Sequence, residues 1–428
     1  ANGSTGQFVI GAYDEGGGPS NYANIKCDEF RVLPRWQTRD EISANYTRRK
    51  WFSGVSTQAS KLVRSSGNPL LSASGYGGSN WDADMAQEPV PYFDGSTWNI
   101  WYTGIKASAA SKTELGLATA SSIEGPYTRS GSNPVLGDGY GGISAGNSAC
   151  HAGVYYESGT YHMFYSDSIA NTANLRRSTS TDKVTWSGNT LAVANNALSG
   201  VVGFANPNIV KDGATYHLFV EAWQSSGSRW VICHATNTSL TNDGGWSFTT
   251  PSPLPTLEYF AGNSFSHPSV VKIGSRWHCW FHTNTNSATL PSVIVHAVSS
   301  DLVNWIPDYS SGLVVDLITD GATINAERVD QIADPTVLES AGSTYLFFDR
   351  SANSPKLYAD IRLAKYAGTL AQFVTDNPYA TAPITDVVSD AGGLKSRIQE
   401  IFSGLTDSLS ALQDKLKSEI DRKSTRLN

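Results

Sequence analysis

The chain has 428 residues and a formal net charge of −7, from 31 Lys and Arg against 38 Asp and Glu. An acidic chain with no basic stripe cannot displace counterions from phosphates, which excludes nucleic acid as a natural partner, and no apolar run approaches the length of a membrane-spanning helix. Only 16% of residues are charged, whereas 12 Trp, 19 Tyr, 15 Phe and 39 Gly supply aromatic cores and turns, the balance of an all-β protein. Cys27, Cys150, Cys233 and Cys279 stand far apart with no CxxC pair and read as buried free thiols.

Residues 1–52 hold two apolar strands, Gln7 to Ala12 and Ile25 to Leu33, then a helical stretch, Thr38 to Tyr46. The run Cys27-Asp28-Glu29-Phe30-Arg31-Val32-Leu33, followed by Thr38-Arg39-Asp40-Glu41-Ile42, resembles the closing strand and helix of laminin-G and concanavalin-like domains. The segment is too short for a whole sandwich. It is expected to be a partial jelly-roll remnant, the C-terminal fragment of a domain that starts before Ala1.

Residues 60–385 carry an internal repeat. Five segments share one plan: a polar residue, usually followed by Pro, an apolar strand, a Gly-containing turn, and an aromatic strand. They begin at Glu88-Pro89, His151-Ala152, Asn206-Pro207, His267-Pro268 and Asp334-Pro335, and continue into Trp98 to Tyr102, Tyr161 to Tyr165, Tyr216 to Val220, Trp277 to Phe281 and Tyr345 to Phe348. A third strand and a polar turn ending in an aromatic follow in four of them, at Tyr127, Trp186, Trp246 and Trp305. Units of four short strands, repeated roughly every 60 residues, bury each sheet against the next and close radially. The sequence predicts a five-bladed β-propeller, with Asn68-Pro69 and Asn133-Pro134 at equivalent crossings.

Over 390–428 the pattern switches to a helix, with apolar residues at Ile398, Ile401, Leu405, Leu409, Leu412, Leu416 and Ile420. Steps of three and four residues fit an amphipathic helix forming a coiled coil, with a homotrimer as the expected assembly. Asp421 to Asn428 carry no pattern.

In a propeller the first strand of each blade lines the channel, so Glu88, His151, Asn206, His267 and Asp334 are expected to form one ring at the mouth. The second strand returns to the same face and brings a wider ring, Thr103, Ser166, Glu221, His282 and Asp349, of which Glu221 and Asp349 are site candidates. Asp82, Asp84, Glu327 and Asp330 lie in loops opening onto that face, and the loop aromatics Trp81, Tyr76, Tyr140, Trp223 and Tyr259 are candidate sugar platforms. Blade-packing roles are expected for His162, His217 and His278, and for His234 and His296, which recur at equivalent strand positions.

The X-Pro inner strand, the Gly-x-Tyr/Trp-x-x-Phe/Tyr second strand and the Gly-Pro-Tyr or Ser-Asp-Leu-x-x-Trp turn resemble the five-bladed glycoside hydrolases of families 43 and 32, over about 320 residues. The resemblance implies sugar cleavage by an Asp base in the first blade, an Asp in the second and a Glu acid in the third. Glu88 takes the first place as Glu, His151 replaces the second Asp, and Ala205-Asn206-Pro207 stands where Glu-Gly-Pro would carry the acid. That triad is not intact.

The expected function is therefore an extracellular carbohydrate-active protein, a glycoside hydrolase using acid/base chemistry. Glu88, Asp334 and Glu221 are its candidate catalytic residues; His151, Asn206, His267, Asp84, Trp223 and Trp81 are its candidate substrate contacts. No cofactor is expected, although His151 and His267 with Glu88 or Asp334 are also a candidate ligand set for a divalent metal at the channel centre. The alternative is a non-catalytic glycan-binding module, as in a phage tail fibre, a tailspike or a secreted adhesin.

Overall fold

The computed structural model describes residues 62–75, 77–106, 113–144, 147–226, 228–248, 264–284, 293–307, 331–352 and 358–376. The expected jelly-roll remnant at 1–52, the expected coil at 390–428, and Tyr76, Tyr259, Glu327 and Asp330 lie outside these residues.

The described strands fall into five four-stranded units. The first is β2 (Met85–Phe93), β3 (Trp98–Ile105), β4 (Thr113–Ala120) and β5 (Thr128–Arg129); the second is β6 (Cys150–Glu157), β7 (Thr160–Ser166), β8 (Leu175–Ser180) and β9 (Ser187–Val193). The third is β10 (Val201–Asp212), β11 (Thr215–Gln224), β12 (Arg229–Asn237) and β13 (Ser247–Phe248); the fourth is β14 (Ser264–Ile273), β15 (Arg276–Asn284), β16 (Val293–Ser299) and β17 (Trp305–Pro307). The fifth contains β18 (Gln331–Ser340), β19 (Ser343–Ala352) and β20 (Tyr358–Tyr366), and takes its outer strand from β1 (Val63–Arg64), which pairs antiparallel with β20. A helix, α1 (Leu370–Asp376), follows.

The inner strands β2, β6, β10, β14 and β18 contact one another in a closed cycle. Each seam holds its own apolar core. Trp101 and Leu115 meet Tyr161 and Met163 between the first two units, and Phe164 meets Leu218 and Cys233 at the next seam. Phe219 meets Phe281 and Trp305, Trp280 meets Leu346 and Phe348, and Phe347 meets Ile100 and Tyr102, which closes the ring. A sheet buried on both faces reads as an unbroken apolar run, and all eight residues of β3 are buried.

Two local devices recur. In each inner strand the register slips around the polar residue that opens the repeat, and that residue adopts a left-handed backbone: φ is 59° at Glu88, 53° at His151, 47° at Asn206, 52° at His267 and 54° at Asp334. Asn, Asp and His tolerate this region better than most side chains; Glu does not share that advantage. In the polar turns, the Ser180 hydroxyl accepts the Lys183 amide and Asp182 accepts the amides of Val184 and Thr185, while the Trp186 indole donates to the Lys183 carbonyl. Ser299, Asp301 and Trp305 repeat the same bonds. His217 and His234 stack in the third unit with nitrogens 2.9 Å apart, and His278 and His296 do so in the fourth at 3.0 Å, so these histidines pack blades.

Asn68 binds Leu363 of β20 as a strand would, donating to its carbonyl and accepting its amide, both at 2.8 Å. Asn133 does the same to Leu117. Both crossings thus substitute a side-chain amide for a backbone. Cys150, Cys233 and Cys279 are buried free thiols.

Gly153 marks the tightest seam, since a Cβ there would lie 1.8 Å from the Pro207 carbonyl oxygen. Gly153→Ala is expected to destabilise the protein by about 3 kcal/mol in urea unfolding, whereas Gly131→Ala, with nothing within 4 Å, should change stability by less than about 0.5 kcal/mol. Asn68→Ala leaves the Leu363 amide without its Asn68 partner and its carbonyl with the Ser65 amide alone, at 2.9 Å, and is expected to cost about 2 kcal/mol in the same measurement.

Candidate functional site

The five left-handed residues meet at one end of the ring, where inner strands begin and second strands end. All but the half-buried His151 are buried. The bulge turns each of their side chains out of ordinary alternation and aims the amide sideways. In three seams that amide finds the second-strand residue of the preceding unit. His151 N–H donates to Thr103 Oγ1 and Glu88 Oε2, both at 3.1 Å; His267 N–H donates to Glu221 Oε2 at 3.3 Å; Asp334 N–H donates to His282 Nδ1 at 3.2 Å. At the seam between the second and third units Ser166 Oγ donates to the Phe204 carbonyl at 2.9 Å, and at the seam between the fifth and first Thr336 Oγ1 donates to the Pro89 carbonyl at 2.9 Å. The ring and the cohesion of the blades therefore use the same atoms.

Glu88 is the most heavily bonded of them. Thr103 Oγ1 donates to its Oε2 at 2.5 Å, His151 Nδ1 lies 2.5 Å from its Oε1, and the Gln87 amide donates to Oε1 at 3.2 Å. Burial would raise its pKa, but the His151 charge and these donors outweigh that and hold it at about 2. Burial likewise disfavours a charged His151, yet Cys150 and Glu88 beside it raise its pKa well above the usual range. The half-buried imidazole and the buried carboxylate form an ion pair at neutral pH.

The other carboxyls behave in the opposite way. Burial raises the Glu221 pKa despite the bond from Asn206 Nδ2 to its Oε2 at 2.6 Å. Burial, opposed by a hydrogen bond from Asp349 and reinforced by the charges of Glu88 and Glu221, lifts Asp334 to about 7, and burial and Asp334 lift Asp349 well above its ordinary value. Burial depresses His267, and it depresses His282 to about 3 with the help of His267. His282 Nδ1 accepts the Asp334 amide, which places the ring proton of the neutral imidazole on Nε2. Three buried atoms of the mouth, Asn206 Oδ1, His267 Nδ1 and Asp349 Oδ1, have no hydrogen-bond partner.

Around this centre, Asp84 accepts the Gly77 amide at 2.9 Å and is buried at the entrance to β2. Trp81 lies across the first unit: a Cβ at Gly104 would be 2.0 Å from its ring, and it tilts onto Tyr102 at 5.4 Å. Asp82 joins Tyr102 and Arg129 at 2.9 and 2.7 Å and fastens the same loop. Trp223, two residues past Glu221, meets Trp230 edge to face at 5.1 Å, both half-buried. Tyr140 is 49% exposed. Gln87 and Trp230 escape a sequence reading. Strict alternation sends Gln87 to the face opposite Glu88, and only the bulge brings the two together; Trp230 reaches Trp223 through strand register. Among the described residues no group of three or more His, Cys, Asp or Glu is arranged to hold a metal ion.

No family model matches the sequence, and no characterised protein sequence is significantly similar to it. Solved structures do match in fold. A family 62 glycoside hydrolase in complex with xylotriose aligns with a TM-score of 0.52 at 10% identity, covering 73% of this chain and 99% of that one. The catalytic domain of the Coprinopsis cinerea family 62 α-L-arabinofuranosidase aligns at 0.51 and 11%, covering 72% and 98%. The Podospora anserina α-L-arabinofuranosidase, solved with cellotriose, aligns at 0.50 and 10%, covering 72% and 97%. The β-propeller is thus the fold of these hydrolases.

The opposed titrations fix how stability depends on pH. A carboxyl whose folded value is raised contributes stability that is complete below its unfolded value, near 4, and lost as pH climbs through the folded value of about 7. Glu88 runs the other way, its contribution lost as pH falls towards 2. Asp334→Asn is therefore expected to be more stable than the parent at pH 8, with the margin vanishing at pH 4, in urea unfolding at both values.

Proposed function

We propose that this protein is an extracellular glycoside hydrolase that cleaves poly- or oligosaccharide at the propeller mouth by acid/base catalysis. The observation that carries this reading is the convergence of buried carboxyls from units one, three and five whose pKa values are pushed in opposite directions, on a fold shared with glycoside hydrolases. Units three and five are not neighbours in the ring, so Glu221 and Asp334 approach from different sides of the mouth. The acid missing from the inner strand of unit three is supplied by Glu221 on the adjacent strand, bonded to Asn206.

Glu221, whose pKa burial raises, gives its proton to the glycosidic oxygen as the bond to the anomeric carbon breaks. The anionic Glu88 faces the positive charge that develops on the sugar ring, and Asp334 removes a proton from the water whose oxygen bonds to that carbon. The leaving sugar keeps the proton of Glu221 as a hydroxyl, and solvent resets both carboxyls. His151, Asn206, His267 and Asp84 supply hydrogen bonds to sugar hydroxyls, Trp223 with Trp230 forms a stacking edge beside Glu221, and Trp81 shapes the entrance.

One observation favours the second reading, a glycan-binding module without turnover. Both Glu88 oxygens are already occupied by Gln87, Thr103 and His151. Retention on a polysaccharide panel, measured together with newly formed reducing ends, separates the two. Hydrolysis is expected, with release falling about 100-fold or more in Glu221→Gln while retention persists. Retention without release in the parent protein would leave only the binding module.

A further inference from the structure

Glu221 lies on β11 opposite Ala205, beside the bulge of β10 that carries Asn206. Both side chains are buried, at 4% and 6% exposure. One oxygen of the carboxyl, Oε2, receives two N–H groups: Asn206 Nδ2 at 2.6 Å from its own unit and the His267 amide at 3.3 Å from the next. A carbonyl oxygen has two lone pairs, and these donors fill both. The hydroxyl oxygen of a protonated acid has to aim its hydrogen at an acceptor, and neither N–H is one. A proton on this carboxyl therefore belongs on Oε1. Asn206 Oδ1 is buried with no partner, so among the described residues the bond to Glu221 is what sets how this amide is turned.

We propose that Asn206 is a positioning residue for the acid of the mouth: it makes Glu221 Oε2 the carbonyl oxygen and leaves the transferable proton on Oε1. The proposal rests on the hydrolase reading for the role of Glu221 as acid, but the placement of the proton does not depend on turnover. An amide at this place donates to a carbonyl oxygen, which a carboxylate cannot do, and it adds no charge beside the acid. Asn also suits the left-handed backbone at φ 47°. Ser266, buried on β14, is a further polar side chain at this carboxyl, and its hydroxyl accepts a hydrogen bond as readily as it donates one. The titratable groups that face Glu221 are His151 on β6, His267 on β14 and Asp334 on β18. All three persist in the variants below, so a change there reads the amide.

Two measurements test it. A neutron structure of the deuterium-exchanged protein at pH 4, below the raised value of Glu221, should show deuterium on Oε1 and the deuterated Asn206 Nδ2 turned to Oε2. Deuterium on Oε2, or on neither oxygen, overturns the proposal, whether or not any glycan is cleaved. In rate profiles against pH, the alkaline limb reports Glu221 losing its proton. Asn206→Leu keeps the bulk and removes a donor that favours the carboxylate, so kcat should fall about tenfold or more and the limb should move to higher pH by about one unit. In the reverse arrangement Asn206 Oδ1 would accept the acid's proton and stabilise the neutral form, and losing it would move the limb to lower pH. That direction, or an even loss of rate with the limb in place as a merely structural role gives, overturns the proposal. Asn206→Gly suits the left-handed backbone and should move the limb in the same direction as Asn206→Leu, which keeps the test open where Asn206→Leu does not fold. Deuterium on Oε1 in a protein that releases no reducing ends removes the hydrolase reading and leaves the proton where it is assigned. Hydrolysis with deuterium on Oε2 does the opposite.

Discussion

An inner strand that must satisfy its own sheet and also grip its neighbour needs one amide that points out of the ladder, and a left-handed bulge supplies it. The same rotation swings a side chain into the channel mouth. In Glu88, His151, Asn206, His267 and Asp334 the backbone requirement and the site are therefore one geometric event, repeated by each unit. The bulge constrains φ and leaves the choice of polar group comparatively free, which is why carboxylate, imidazole and amide occupy equivalent places. Glu88 is the costly case, a residue without the local hydrogen-bonding habits of Asn or Asp, and its left-handed conformation is held in place by Thr103, Gln87 and His151.

Electrostatics divide the mouth into two halves. Around Glu88 the donors outnumber what the carboxylate needs, so charge is stabilised in spite of burial. Around Asp334, Asp349 and Glu221 the donors are too few, so burial prevails and the carboxyls stay protonated at pH values where free ones do not. Stability is sacrificed in the second half. Unpartnered buried atoms at Asn206, His267 and Asp349 mark the same cost, and polar groups in that condition are what a hydroxyl-rich ligand relieves.

Much of the ring was legible in the sequence because its signal is periodic: a polar residue and Pro, a Gly turn and an aromatic strand recur with the same internal spacing, and such repetition survives where single residues are ambiguous. Strand pairing confirms that plan from β2 to β20. The completion of the last unit by β1 was not legible, since two residues, Val63 and Arg64, carry no strand periodicity and their partner lies at the far end of the fold. Nor was the state of Glu88, because His151 reaches it across a seam that only the coordinates show. Trp81 illustrates a further limit: an aromatic in a loop reads as a sugar platform, yet Gly104 and Gly116 clear a bed for its ring against β3 and β4. The expected jelly-roll remnant and the expected coil fall outside the described residues.

Closure by β1 has a consequence for how the molecule is made. Asn68 and Leu363 are 295 positions apart in the chain, so β1 has to wait for a partner that is synthesised much later. Until β20 is made β1 has no sheet to join, and the Phe347 and Ile361 seam with Ile100 and Tyr102 cannot assemble. The ring therefore closes through a contact of high sequence separation, a pairing that loop-closure entropy makes slow to form.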